Sequence, residues 1–215
     1  NLIIYNKGKK VSSYIFHTLS RSIYYNRARP KNLKYRKKMP YSWYFTSSKN
    51  SKISNFTIKK LPKSIGIIIR PYDLKYENKN IKKIINQTKN KSLISLVAGI
   101  TYKAPNTDGV HIPRWMYYKP KKTKIVSISF HGLKDTRKCL NLRANLVFVS
   151  PIFKTSSHVC SKGIGVVKLG LISRSIKVPV IALGGINDKN IKYLRSLPIY
   201  GCAGIDVFDK TLKNK

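Results

Sequence analysis

The stretch Val178-Pro-Val-Ile-Ala-Leu-Gly-Gly-Ile-Asn-Asp188 decides how the rest of the chain is read. Its apolar run, bounded by Lys177 and a glycine pair, has the continuous pattern of a strand buried on both faces. Gly184 and Gly185 allow a sharp turn and a close backbone approach. Asn187 is a suitable N-cap for a helix over residues 188–195. Strand, glycine turn and helix start together present amide groups at a positive dipole end, which suits a phosphate. The plainer alternative is an ordinary βα turn with glycines for geometry.

Two flanking stretches repeat the strand-then-loop pattern. Upstream lies Asn145-Leu-Val-Phe-Val-Ser-Pro-Ile-Phe-Lys-Thr-Ser-Ser-His158, and downstream Gly201-Cys-Ala-Gly-Ile-Asp-Val-Phe208. Working back towards the N-terminus, strands are expected at 41–46, 65–69, 93–97, 108–112, 124–130 and 146–149. Helices are expected over 52–61, 77–89 and 134–143. With 178–183 and 203–208 the strands number eight. Eight strands alternating with helical stretches over residues 39–215 predict a compact (β/α)₈ TIM barrel of class α/β, with shortened helices. An open doubly wound parallel sheet is the alternative. Little chain comes after the eighth strand, so a helix near residues 11–25, with Val11, Tyr14, Ile15, Leu19 and Ile23 at helical spacing, is expected to cover the groove between the first and last strands.

Residues 1–38 form a basic N-terminal extension, with eleven basic residues and no acidic one. Three readings stand for it: an amphipathic targeting segment, a nucleic-acid-binding arm, or sequence upstream of a start at Met39. A first residue other than Met fits a processed or truncated chain. Over the whole 215 residues, 44 Lys and Arg face 7 Asp and Glu, a net charge of +37. Such a balance points to a polyanionic partner. An AT-rich coding sequence would also supply lysines, though it would not remove carboxylates. Cys139, Cys160 and Cys202 are widely spaced, without metal-ligand pattern, and read as buried hydrophobes of a reducing compartment. No apolar run reaches the roughly 18 residues of a spanning helix.

The ordered segments Asp108-Gly-Val-His-Ile-Pro113, Ser129-Phe-His131, Val149-Ser-Pro-Ile-Phe-Lys-Thr155, Ala182-Leu-Gly-Gly-Ile186 and Ala203-Gly-Ile205 resemble the thiamine-phosphate synthase and thiazole tautomerase family over about residues 40–208. The resemblance implies a TIM barrel of thiamine biosynthesis. Its synthases join an aminopyrimidine pyrophosphate to a thiazole phosphate with Mg²⁺; its tautomerases aromatise the thiazole phosphate without metal. By the same resemblance Gly184 and Gly185 hold the thiazole phosphate. Thr155 and Ser157 supply hydroxyls to pyrophosphate, with His158 where a lysine is usual. Arg70 is the basic residue ending the second strand, and His131 is the proton-transfer candidate on the catalytic face.

The departures from the family pattern carry chemical weight. Ala98-Gly99 stands where the family has an Asn-Asp pair, Met116 where it has an acidic metal ligand, and Tyr72 where it has a lysine. Phe208-Asp209 replaces a Val-Ser pair. The metal ligands are thus not retained, and no metal-binding residue is assigned. Mg²⁺ normally neutralises a departing pyrophosphate, so these changes argue against full synthase activity. Arg114, Lys154 and His158 are candidate replacement clamps. Tautomerisation asks only for a proton moved between two atoms. His111 is expected to be structural, and His17 to lie at the surface.

Two functions are compatible with these features. The first is a phosphate-binding barrel of thiamine biosynthesis, closest to the tautomerase side, acting on thiazole phosphate or a related phosphorylated small molecule. The second is a non-catalytic barrel recruited as an RNA-binding, ribosome-associated protein. It rests on the net charge and on the basic, tyrosine-rich runs Tyr24–Arg29 and Trp115–Lys122. The expected location is the cytoplasm, or the mitochondrial matrix if residues 1–38 target the chain or an organelle encodes it.

Overall fold

The structure, a computed structural model, describes residues 12–25, 39–46, 58–59, 61–71, 79–100, 106–120, 125–155 and 163–209. Eight strands close a barrel: β1 Ser42–Phe45, β2 Ile65–Ile69, β3 Ile94–Ala98, β4 Gly109–Ile112, β5 Ile125–Phe130, β6 Leu146–Val149, β7 Val180–Leu183 and β8 Gly201–Gly204. Every pairing is parallel, and β1 meets β8 through Ser42↔Cys202, Trp43↔Ala203 and Tyr44↔Gly204. The (β/α)₈ expectation holds, and the doubly wound sheet is excluded by this closing pair.

Side chains alternate between two cores. Trp43, Phe45, Ile68, Leu96, Phe148 and Ile181 fill the barrel interior, while Tyr44, Ile67, Val110, Ile128 and Val147 face the outer layer. This is why the strands read as unbroken apolar runs: both faces are covered. Gly66 has a close-approach role, since a Cβ there would lie 2.4 Å from the Trp43 ring. The indole occupies that space and donates to the Pro40 carbonyl at 2.8 Å.

The outer layer includes α1 Ser12–Tyr25, α2 Lys79–Asn90, α3 Thr136–Asn141, α4 Gly165–Ser175 and α5 Asp206–Asp209. Helix α1 lies over the β8–β1 seam, the groove it is expected to cover. Phe16 meets the Phe208 ring edge-on at 5.4 Å, and Phe208 in turn touches Tyr44 at 5.3 Å. Of the predicted stripe of α1, Ile23 is buried and Leu19 packs partly buried on the core, with Phe16, His17 and Ser20 buried beside them; Val11 lies outside the described residues.

Three further expectations are corrected. The helix over 188–195 is absent; a turn leads into a short 3₁₀ segment, Ile191–Leu194. The eighth strand is Gly201–Gly204, and Phe208 belongs to α5 rather than to a strand running to 208. The helix over 134–143 is divided into 3₁₀ Leu133–Asp135 and α3. Most of the helix expected over 52–61 lies outside the described residues, as do 26–38 of the N-terminal extension. Among the described residues, no helix is long and apolar enough to cross a membrane.

Candidate active site at the barrel mouth

Because all eight strands are parallel, the residues just past their C-terminal ends meet at one end of the barrel. Arg70 comes after β2, His131 after β5, Thr155 lies in the loop after β6, and Gly184 and Gly185 come after β7. The C-terminal mouth is where barrels of this architecture carry their chemistry. Ser157 and His158 lie outside the described residues.

The glycine turn is built against the loop after β6. Gly184 and Gly185 have φ of +97° and +67°, conformations that disfavour any residue with a Cβ. A Cβ on Gly184 would lie 2.9 Å from Pro151 Cα, and one on Gly185 2.4 Å from the Lys154 carbonyl oxygen. The two loops are laced together, with Ile152 N–H donating to Leu183 O and Phe153 N–H to Gly184 O, each at 3.0 Å. The side of the glycines where Cβ atoms would point is therefore closed by backbone, and a ligand would meet the turn from the amide side. The glycine pair thus has a packing reason.

An asparagine pair braces the far side of the turn. Asn190 Nδ2 donates to the Gly185 carbonyl at 2.8 Å, and Asn190 Oδ1 accepts from Asn187 N–H at 2.8 Å. Asn187 Oδ1 accepts from the amides of Lys189 and Asn190, at 2.9 and 3.2 Å. Asn187 caps a turn over Lys189 and Asn190, and the four-residue 3₁₀ segment that comes next has Asn190, not Asn187, at its N-cap position. A helix dipole of useful length is therefore not available, and anion affinity here would rest on local amides. The sequence signal for Asn190 is its Asx chemistry three residues after Asn187.

His131 is half-buried at the end of β5, and its backbone N–H donates to Asp135 Oδ2 at 2.7 Å. That bond ties the rim residue to the 3₁₀ turn entering α3. His111, one strand away, is placed quite differently. It is fully enclosed, with Nδ1 2.9 Å from Ser127 Oγ, Nε2 3.1 Å from Ser129 Oγ, and its ring edge-on to Phe45 and Phe148. Burial, aided by Arg70 and Lys138, pushes its pKa down to about 3. The ring is therefore neutral and structural, in agreement with the sequence reading. Arg70 sits over the Phe45 ring at 5.7 Å, and its Nε donates to the Thr46 carbonyl at 2.5 Å. Its guanidinium is thus held at the rim above the interior.

Ala98 and Gly99 end β3, and half-buried Met116 packs against the outer core. None of these offers the carboxylate oxygens that a hard dication requires. Among the described residues, no group of three His, Cys, Asp or Glu side chains converges. Of the carboxylates that are described, Asp108 accepts from the Ser95 amide and Asp135 from that of His131. Ala98, Gly99 and Met116, the positions the resemblance matches to metal ligands, thus offer no carboxylate. Cys139 and Cys202 are buried, and burial raises their thiols to about 11 and 12, which keeps them protonated hydrophobes.

His17 corrects the surface expectation. It is only 8% exposed, stacks on Tyr41 at 5.1 Å, and bonds through Nε2 to Tyr41 Oη and Ser64 Oγ at 3.1 and 2.9 Å. These partners lie at the opposite end of the barrel from His131.

A family model described as thiamine monophosphate synthase matches residues 72–208. A putative thiamine-phosphate synthase 2 of Aquifex aeolicus is 38% identical over 111 residues, which is 49% of this chain and 59% of that protein. Thiamine-phosphate synthase of Clostridium acetobutylicum is 31% identical over 93 residues, 40% of this chain and 44% of that one. The matched region spans about half the length of these relatives. Among solved structures, a thiamine phosphate pyrophosphorylase from Pyrococcus furiosus superposes with TM-score 0.64 at 16% identity, covering 81% of this chain and 97% of that one. At that identity the likeness speaks for the fold.

Proposed function

Because the chain belongs to the thiamine monophosphate synthase family, matched over residues 72–208, we propose that its barrel mouth binds a thiazole phosphate and works on the tautomerase side of that family's chemistry. The observation that supports this most is the braced glycine turn after β7. Its backbone is held rigid between Pro151–Lys154 and Asn190, so its amides are preorganised for a phosphate oxygen. Thr155 supplies a hydroxyl on the adjoining loop; Ser157 and His158, which the family resemblance adds to the anion site, lie outside the described residues. Arg70 adds a fixed positive charge from across the rim.

In the tautomerisation, His131 takes a proton from one atom of the thiazole ring and returns it at another, so no net charge leaves and no dication is needed. Synthase chemistry differs in the charge it must neutralise. A departing pyrophosphate would be met here by Arg70, Arg114 and Lys154 among the described rim cations, a weaker substitute for Mg²⁺.

The test uses the full chain and hydroxyethylthiazole phosphate. Calorimetry should show saturable binding that weakens by about fivefold or more in Thr155→Val, the loss of one hydrogen bond to a charged group. Turnover of the non-aromatic thiazole phosphate should proceed equally with Mg²⁺ or with a chelator. Absence of saturable binding by the wild-type chain would end this reading, and strict Mg²⁺ dependence would move it to the synthase side.

A second reading, RNA binding, draws on one surface. Trp115 and Tyr117 are 70% and 65% exposed on a loop fixed in place by Lys138, whose Nζ donates to the carbonyls of Pro113, Arg114 and Met116. Fixed aromatics flanked by Arg114, Lys119 and Arg137 suit stacked bases beside phosphates. Retention on single-stranded RNA should then fall steeply with salt and drop in Trp115→Ala; retention unaffected by that change would remove it.

A further inference from the structure

A second basic cleft lies at the other end of the barrel. It encloses about 600 Å³ and is lined by His17 and Arg21 from α1, Lys63 and Ser64 before β2, and Ser92 before β3, over Met39, Tyr41 and Ile65. Its volume is of the order that accepts a small metabolite. None of the residues lining it is acidic, and three are His, Arg or Lys.

The cleft has a built polar wall. His17 is held by two hydroxyls through Nε2, while its buried Nδ1 has no hydrogen-bond partner among the described residues. Either neutral tautomer leaves that nitrogen unmatched, as a donor in one case and an acceptor in the other. Unmatched buried groups are rare and call for a cause. Like charges also crowd this end: burial and Arg21 lower the pKa of His17, and burial, with Lys63 second, lowers that of Lys91. An anion seated between Arg21 and Lys63 would relieve that repulsion.

We propose that this N-terminal cleft is a binding site for a small polyphosphate-bearing anion, held by Arg21 and Lys63, with Ser64 and His17 forming its hydroxyl–imidazole wall. A diphosphate has oxygens enough to meet both Arg21 and Lys63 at once and the serine hydroxyls besides, which a single carboxylate does not. The site is separate from the mouth and does not depend on the thiazole phosphate reading, because its residues precede the strands whereas those of the mouth come after them.

The experiment tracks the ring resonances of His17 by NMR in the full chain, assigned with His17→Asn, during titration with inorganic pyrophosphate. Saturable shifts with a midpoint below about 1 mM are expected. The midpoint should weaken at least about tenfold in Arg21→Gln/Lys63→Gln, and change less than about twofold in Lys168→Gln/Arg174→Gln, which removes equal charge from α4. Sulfate should bind at least about tenfold more weakly than pyrophosphate. No saturable shift, equal weakening in both double variants, or equal affinity for sulfate would mean an adventitious ion only and would overturn the proposal. Should the first double variant fail to fold, Lys63→Gln alone removes an exposed side chain, and an unchanged midpoint there overturns it equally.

Discussion

His111 lies within β4 and His131 just past the neighbouring β5, yet their surroundings differ sharply. His111 projects inward from β4, sealed by Phe45 and Phe148 and bonded at both nitrogens. A proton cannot reach it without the desolvation cost of a buried cation, so it serves as a polar strut in an apolar interior. His131 stands where β5 has ended and the mouth begins. Depth along the strand separates a sealed imidazole from one at the rim.

The largest break in this comparison should come from His131→Asn, which keeps size and polarity. Turnover of the thiazole phosphate is expected to fall by about 100-fold or more, with the melting temperature unchanged. A variant with normal turnover would strip His131 of its role. Next comes Gly185→Ala: a Cβ at φ +67° and 2.4 Å from the Lys154 oxygen should cost about 2–4 kcal/mol in denaturant unfolding. It should also weaken phosphate binding, whereas a neutral effect would show that the loops after β6 and β7 are not packed as described.

His111 gives a pH prediction. Its folded pKa near 3 lies below the unfolded value of 6.5, so the stability linked to its neutral form is full above pH 6.5. That stability is lost as pH falls from 6.5 towards 3, by up to about 1.4 kcal/mol per pH unit. His111→Gln should flatten this part of the acid unfolding profile while keeping one serine bonded; an unaltered slope would contradict the buried neutral ring. The smallest effect is expected from Asn190→Ala, about 1 kcal/mol of stability for the lost bond to Gly185. Calorimetry on that variant should show weaker phosphate binding with an unchanged rate at saturation.

Much of the barrel is legible because its strands carry covered, continuous apolar runs, as in Ile65–Ile69 and Leu146–Val149. The errors gather where apolar sequence continues past a turn. Ile205, Val207 and Phe208 extend the pattern of β8, but the last two pack from α5 against the outer core, Phe208 directly on Phe16 of α1. Residues 188–195 carry a cap and helical spacing, yet Asn187 and Asn190 bond each other and Pro198 bars a longer helix. His17 misleads because a polar residue in a basic segment looks solvated. Its partners Tyr41 and Ser64 are distant in sequence, and nothing local announces them. At the mouth, the glycine pair and His131 stand out by position after a strand, while the Pro151–Lys154 backbone that fixes the pair is visible only in three dimensions.

The clasp between Phe16 and Phe208 has a consequence for how the protein is made. A ribosome delivers the first helix long before the last strand, so Phe16 and Ile23 emerge with nothing to cover. Until residue 208 has left the exit tunnel the seam stays open, and the nascent chain shows an oily stripe and a bare strand edge together. Chaperone occupancy during translation should therefore persist until Phe208 has emerged, and a chain released before Phe208 should aggregate rather than fold.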